Sequence, residues 1–177
     1  MMQDHEQWNR ERAELDAWKT ASTPDLIRHI MARYHRETRT GMAELESLAE
    51  EAALFEGWRS EVLLAIRDEV DLFCTEMRQH LKDEETTLFP AILAKEAGRD
   101  VDVEHELVEP MDLFQDEHDA AEGLLKRIRV LTNGYEPPAG APAIQEELYA
   151  ACRSLSHSLL RHIYLENQIL FRRLIRA

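Results

Sequence analysis

A histidine followed four residues later by a glutamate occurs twice in strikingly similar surroundings, as His80-Leu-Lys-Asp-Glu84-Glu-Thr-Thr-Leu-Phe89 and as His162-Ile-Tyr-Leu-Glu166-Asn-Gln-Ile-Leu-Phe171. On an α-helix this spacing places imidazole and carboxylate on one face, one turn apart. Both pairs fall on the apolar stripe of their helix. The first continues Ile66, Val70, Phe73 and Met77, and the second continues Leu148, Cys152, Leu155 and Leu159. One more histidine precedes each copy, His35 and His118, at separations of 45 and 44 residues. The chain therefore divides into two similar halves, each a helix with one inward His followed by a helix with an inward His and Glu. Four such helices bring four imidazoles and two carboxylates to one interior point, which is a ligand set for two metal ions.

The rest of the chain supports four long helices. Ser22-Thr23-Pro24 is a start signal, a hydroxyl cap followed by proline in the first turn. From there Ile27, Ile30, Met31, Tyr34, Thr38, Met42, Leu45 and Leu48 mark the first helix. Gly57 interrupts, and the second helix runs from about Ser60 to Gly98, with a kink expected at Pro90 because proline removes an intrahelical hydrogen bond. Residues 99–109 read as an acidic, irregular connection, and Pro110 as the start of a third helix carrying Met111, Phe114, His118, Ala121, Leu125 and Ile128 inward. Asn133-Gly134 closes it. Residues 135–142, rich in Pro and Gly, are a linker before the fourth helix. The expected architecture is all-α, an up-down-up-down four-helix bundle over residues 23–177. Residues 1–22, with Trp8, Leu15 and Trp18 at helical spacing, form an amphipathic extension and a short extra helix.

At 177 residues the chain is one domain's worth and buries a core without cross-links. Cys74 and Cys152 lack metal-ligand spacing and read as small apolar residues. The charged first thirty residues show no secretory leader, and no run approaches a membrane span, so a cytoplasmic location without membrane attachment is expected. A net charge of −14 argues against nucleic acid, whose phosphates need clustered Lys and Arg.

Unpartnered carboxylates and imidazoles are costly in a helix core, and cations remove that cost. Imidazole with carboxylate and no thiolate suits iron or manganese, tolerates zinc and disfavours copper(I). Iron is the favoured metal. Glu84 and Glu166 each have two oxygens and are read as bridges, with His35, His80, His118 and His162 as terminal ligands. Open positions remain for oxo, hydroxo or a diatomic gas. His5, His29, His105 and His157 are read as surface residues or outer neighbours of the site. Glu122, four residues after His118, is an optional extra ligand. Leu88-Phe89-Pro90 and Leu170-Phe171 are expected to floor the site, and Tyr34 to pack beside it, with reach toward a metal-bound oxygen as the alternative.

These residues resemble the haemerythrin-like, or HHE cation-binding, proteins, and among them the repair-of-iron-centres di-iron proteins. The resemblance rests on Arg33-Tyr34-His35, on His80, Glu84-Glu85 and Leu88-Phe89-Pro90, and on Glu117-His118-Asp119. It extends to Leu131-Thr132 with Pro137-Pro138, and to His162-Ile163, Leu165-Glu166-Asn167 and Leu170-Phe171. It implies a bundle with an oxo- or hydroxo-bridged pair of iron ions, held by His35, His80, Glu84, His118, His162 and Glu166. It further implies repair of iron-sulfur clusters damaged by nitric oxide or peroxide, with iron-sulfur proteins as partners. Departures are the lack of a cysteine-bearing N-terminal domain and Arg172 in place of the final Pro of the second motif. In many relatives a histidine joins the first two helices. That position here is Glu56, roughly 30 Å along a straight helix from His35 at ~1.5 Å per residue, and it is not counted as a ligand.

Other functions compatible with such a centre are reversible binding or sensing of oxygen or nitric oxide, and reduction of peroxide or nitric oxide. No catalytic side chain is assigned, and the sequence does not decide whether the chain is an enzyme.

Overall fold

A computed structural model describes residues 11–176 of the chain. Four long helices account for most of it, and each is continuous although its winding changes along its length. Helix α1 (23–56) joins Thr23–His29, a wider π-type turn Ile30–His35, and Arg36–Glu56. Helix α2 (61–96) joins Glu61–Asp83, a π-type turn Glu84–Leu88, and Phe89–Glu96. In α3 (104–131) a π-type turn Glu104–Val108 leads into Glu109–Leu131. In α4 (143–176) Ala143–Tyr164 passes through Leu165–Leu170, again π-type, into Phe171–Arg176.

The start of α1 follows the expected chemistry: Ser22 Oγ accepts from the backbone N–H of Asp25 at 3.2 Å, with Pro24 in the first turn. Gly57 ends α1 where a Cβ would lie 2.8 Å from Leu64 Cδ2, so a side chain there requires the end of Leu64 to move. One boundary expected from the sequence changes. Residues 104–109 are already helical, so α3 begins before Pro110, not at it. At Pro90, where a kink is expected, a π-type turn sits just ahead of the proline and α2 continues to Glu96. Both internal prolines follow such a turn by two residues. A proline nitrogen cannot bond the carbonyl four residues back, and its ring crowds that carbonyl, so a widened turn accommodates it. Met31, assigned to the inward stripe, is instead 37% exposed.

Neighbouring helices run antiparallel, as pairings in reverse order show. Between α1 and α2, Glu46 meets Arg78 while the earlier His35 meets the later Glu85. Between α2 and α3, Glu69 meets Arg127 and the later His80 meets the earlier Glu117. Helix α4 packs on α1 and α3, which closes an up-down-up-down bundle. Its interior is two apolar clusters. One fills the end near the α1–α2 turn, with Leu45, Ile66, Phe73, Leu125 and Leu148; the other fills the opposite end, with Ile30, Leu88, Phe89, Leu107, Ile169 and Phe171. The buried polar side chains His35, His80, Glu84, His118, His162 and Glu166 lie among these apolar residues. Cys74 and Cys152 are buried and unpaired, and burial pushes both thiols up to about 12, in keeping with their apolar role.

Residues 11–16 are helical and continue into a 3-10 turn, Ala17–Thr20, on the outside of the bundle. Leu15 enters the second apolar cluster, Arg161 pairs with Glu11 at 2.7 Å, and Arg173 donates to the carbonyls of Trp18 and Ala21. Trp8 and His5 lie outside the described residues. Among the described residues no helix is long and apolar enough to cross a membrane.

Candidate metal centre

All six residues singled out by spacing meet in one place. His35, Glu84, His118, His162 and Glu166 are fully buried, and His80 is 3% exposed. They form two overlapping groups, His35, Glu84, His162 and Glu166, and His80, Glu84, His118 and Glu166, within each of which the donor atoms lie within 4.8 Å of one another. The two glutamates belong to both groups. Three of the four bundle helices supply these residues from or next to a π-type turn: His35 closes one, Glu84 opens the second and Glu166 stands inside the last. The extra residue in such a turn lets Glu84, Leu88 and Phe89 all face inward, which regular 3.6-residue winding does not do over so short a span.

The imidazoles approach in pairs. His35 Nε2 lies 3.1 Å from His162 Nε2, and His80 Nε2 lies 3.1 Å from His118 Nε2. Glu84 Oε2 is 3.4 Å from both His35 Nε2 and His80 Nε2. The oxygens of Glu166 divide between the pairs, Oε1 at 2.8 Å from His162 Nε2 and Oε2 at 3.2 Å from His118 Nε2.

In three of the four rings a partner on the outer nitrogen fixes which edge points inward. The Nδ1–H of His35 donates to Glu85 at 2.7 Å, that of His80 to Glu117 at 2.8 Å, and that of His118 to the Asn167 side-chain carbonyl at 2.9 Å. A carboxylate or an amide carbonyl can only accept, so in the neutral rings these bonds leave the lone pair on Nε2. For His80 and His118 the consequence is specific: with both rings neutral, two nitrogen lone pairs face each other, with Glu84 Oε2 3.4 Å from His80 Nε2 and Glu166 Oε2 3.2 Å from His118 Nε2. Four acceptors around one point are mutually repulsive unless a proton or a cation sits among them.

The protonation preferences show the same strain. Burial raises Glu84, with the charge of Glu166 adding to it, to about 7. Glu166, against the cost of burial, is held well below the usual carboxylate range by His162, His118 and His35. Burial alone would push His35 and His118 down, but Glu166 and Glu84 hold them up at about 10 and about 8. His80 is pushed down to about 3 by burial and by the charge on His118, and burial lowers His162 as well. Protons on some imidazoles thus stand where cations would otherwise balance the carboxylates. A nitrogen and oxygen donor set without sulfur fits iron and similar metals.

Each of the four rings also meets an aromatic neighbour. Phe89 lies 5.6 Å from His35, Phe114 5.3 Å from His80, Phe171 6.3 Å from His118, and Tyr34 6.4 Å from His162, centroid to centroid. The expected floor of Leu88, Phe89, Leu170 and Phe171 is present and buried, whereas Pro90 is exposed. A groove of about 410 Å³ between α2 and α3, lined by Phe73, Met77, His80, Glu117 and Ala121 among others, reaches the His80 side.

Glu122 and Glu56 are not drawn in. Glu122 pairs with Lys126 at 3.3 Å on the outside of α3, and Glu56 lies at the other end of α1. His105 and His157 are exposed, and His29 is partly buried against Trp18. The sequence reading did not single out Glu85, Glu117 and Asn167 as partners of the histidines. Their signal was adjacency: each directly flanks one of the six.

A family model described as the hemerythrin HHE cation binding domain matches residues 26–174. A probable iron-sulfur cluster repair protein of Haemophilus influenzae is 33% identical over 159 residues, 89% of this chain and 68% of that protein. The iron-sulfur cluster repair protein YtfE of Musicola paradisiaca is 32% identical over 172 residues, 93% of this chain and 74% of its own length. YtfE of Dickeya chrysanthemi is 31% identical over 163 residues, covering 90% and 69%.

Proposed function

Because the chain belongs to the hemerythrin HHE cation-binding family, we propose that it is a cytoplasmic non-haem di-iron protein that repairs or protects iron-sulfur clusters under nitrosative or oxidative stress. His35, His80, Glu84, His118, His162 and Glu166 would hold the metal, with Glu84 and Glu166 shared by both groups of donors. The observation that carries this reading is the approach of His80 Nε2 and His118 Nε2 to 3.1 Å of each other beside carboxylate oxygens of Glu84 and Glu166, all of them buried between the helices. The names of the relatives, iron-sulfur cluster repair proteins, supply the biological direction. The partners are then iron-sulfur proteins and a diatomic gas, oxygen or nitric oxide.

Iron bound here supplies redox change, positions for small ligands and iron that can be passed on. The chain's own residues prepare for it. Glu85, Glu117 and Asn167 fix the rings and their tautomers, and such outer partners commonly set metal affinity. Phe89, Phe114 and Phe171 exclude water from the faces of three imidazoles, which strengthens every charge interaction inside. The groove beside His80 gives small molecules a way in, and the partly exposed Glu117 stands at its wall.

Metal analysis of protein purified without air from iron-supplied cells tests the metal assignment. Two irons per chain are expected. Zinc, a single metal or none would overturn it. Transfer is tested by mixing the iron-loaded protein with a nitric-oxide-damaged iron-sulfur enzyme: recovered cluster absorbance and loss of iron from this chain are expected together. Iron that stays in place while the client remains dead would overturn the repair function.

A further inference from the structure

We propose that Tyr34 and Trp18 form an exit for oxidising equivalents, carrying electrons from the protein surface to the centre through a column of rings. This rests on the iron reading above. Among the described residues, three centre histidines have phenylalanine as their aromatic neighbour, and a phenyl ring resists one-electron oxidation. The fourth, His162, has a phenol instead: Tyr34 stacks on it at 6.4 Å with 16° between the planes. From Tyr34 the rings continue outward. His29 meets Tyr34 edge-on at 5.5 Å, and Trp18 stacks on His29 at 3.9 Å and 16°. Trp18 is partly exposed, and Arg173 fixes its turn by donating to the Trp18 and Ala21 carbonyls. An easily oxidised phenol and an easily oxidised indole thus lie in sequence between one metal-facing imidazole and the solvent. Filling space beside His162 requires neither.

The oxidant is peroxide beyond the amount that turns ferrous iron ferric. Tyr34 gives one electron to the oxidised centre while its O–H bond breaks, the proton released matching the one that each electron of peroxide reduction to water consumes. Trp18 then returns an electron to Tyr34 across His29, a proton from water restores the phenol, and the indole N–H proton leaves to water. A thiol in solution restores Trp18 by one electron and one proton. Without it, Trp18 loses a second electron by the same route and takes an oxygen atom from water. The balance is one peroxide reduced to water for one oxygen gained by the indole.

Trp58 provides an internal control, being 74% exposed at the α1–α2 turn, at the opposite end of the bundle. An oxidant loose in solution reaches it first. The experiment treats iron-loaded protein with a small excess of peroxide in the absence of thiol and follows oxygen addition by mass spectrometry. Trypsin places Trp18 in peptide 13–19 and Trp58 in peptide 40–59. Oxidation of Trp18 is expected to run severalfold ahead of Trp58, and Tyr34→Phe is expected to abolish that lead with iron content unchanged. Zinc-loaded protein should show no lead. If Trp58 reacts first in the iron protein, or if Tyr34→Phe leaves Trp18 oxidation unaltered, the conduit is overturned while the iron reading stands. If metal analysis of the same samples finds no iron, both are overturned.

Discussion

Glu85 and His35 are joined across two helices by a 2.7 Å hydrogen bond from Nδ1–H to carboxylate, and Arg39 donates to the same oxygen at 2.9 Å. In the second half the corresponding pair is Asn167 and His118, at 2.9 Å, with an amide in place of the carboxylate. The internal repeat therefore extends past the metal-facing residues to the groups that aim them, and it is unequal there. A carboxylate makes its imidazole a stronger base and stronger donor to a metal than an amide does. Glu85→Ala is accordingly expected to weaken iron binding by about 10–100-fold, more than Asn167→Ala, in competition with a coloured chelator. Equal losses from the two variants would count against the asymmetry.

Buried Glu84 makes opposite contributions with and without metal. In metal-free protein, Glu84 lies beside Glu166 with its nearest donors, the Nε2 atoms of His35 and His80, no closer than 3.4 Å, and its carboxyl is pushed up to about 7 by burial and the neighbouring charge. Removing that charge relieves a penalty. Glu84→Gln should raise the stability of metal-free protein, by roughly 1–3 kcal/mol, while lowering iron content and abolishing the stabilisation that iron gives. Paired thermal melts, with and without iron, read both effects. A loss of stability in both states would mean that Glu84 acts as an ordinary buried hydrogen-bonding residue.

Acid and alkali act on different histidines of metal-free protein. His80 has a folded pKa near 3, below the ordinary 6.5, so the unfolded chain binds the extra proton and stability falls as pH drops below about 6.5. His35 is held up at about 10 by Glu166 and Glu84 despite burial. Its contribution is fully present below about 6.5 and is lost as pH rises toward 10. A melting temperature that declines between pH 7 and 10 is expected for metal-free protein, and His35→Gln should flatten that decline. With iron bound, Nε2 of His35 is occupied by metal at neutral pH and the alkaline decline should be much shallower. Identical slopes with and without iron would remove His35 from the centre.

How much of this was legible in the sequence depended on whether a residue's role follows helical spacing or only proximity in space. His80, Glu84, His162 and Glu166 were visible because each pair continues an apolar stripe, and His35 and His118 because the repeat duplicates their offset. Glu85, Glu117 and Asn167 sit beside the stripe, among many other charged and polar surface residues. Only the packing of α2 on α1, and of α3 on its neighbours, shows that they reach the histidines. The start of α3 was misplaced for a different reason. A proline in a sequence reads as a first-turn residue, whereas at Pro110 a π-type turn before it absorbs the missing donor, and a 3.6-residue pattern contains no mark of that turn.

The π-type turn Glu84–Leu88 could owe its shape to Pro90 or to the centre it serves, and the second copy separates the two. There Arg172 occupies the position of Pro90, with a backbone N–H available, yet Leu165–Leu170 is wound in the same widened way around Glu166. Thr86 also donates its hydroxyl to the carbonyl of Lys82 at 2.8 Å, so local polar bonding helps to hold the first turn. Proline is therefore dispensable for the geometry that aims Glu84. Pro90→Ala is expected to keep full iron content and to change stability by less than about 1 kcal/mol, since the alanine N–H can find a carbonyl within the widened turn or water on this exposed side of the helix. Metal analysis and a thermal melt of the variant are sufficient. Loss of iron from the variant would mean that the proline itself sets the turn in the first half, and that the two copies reach the same geometry by different means.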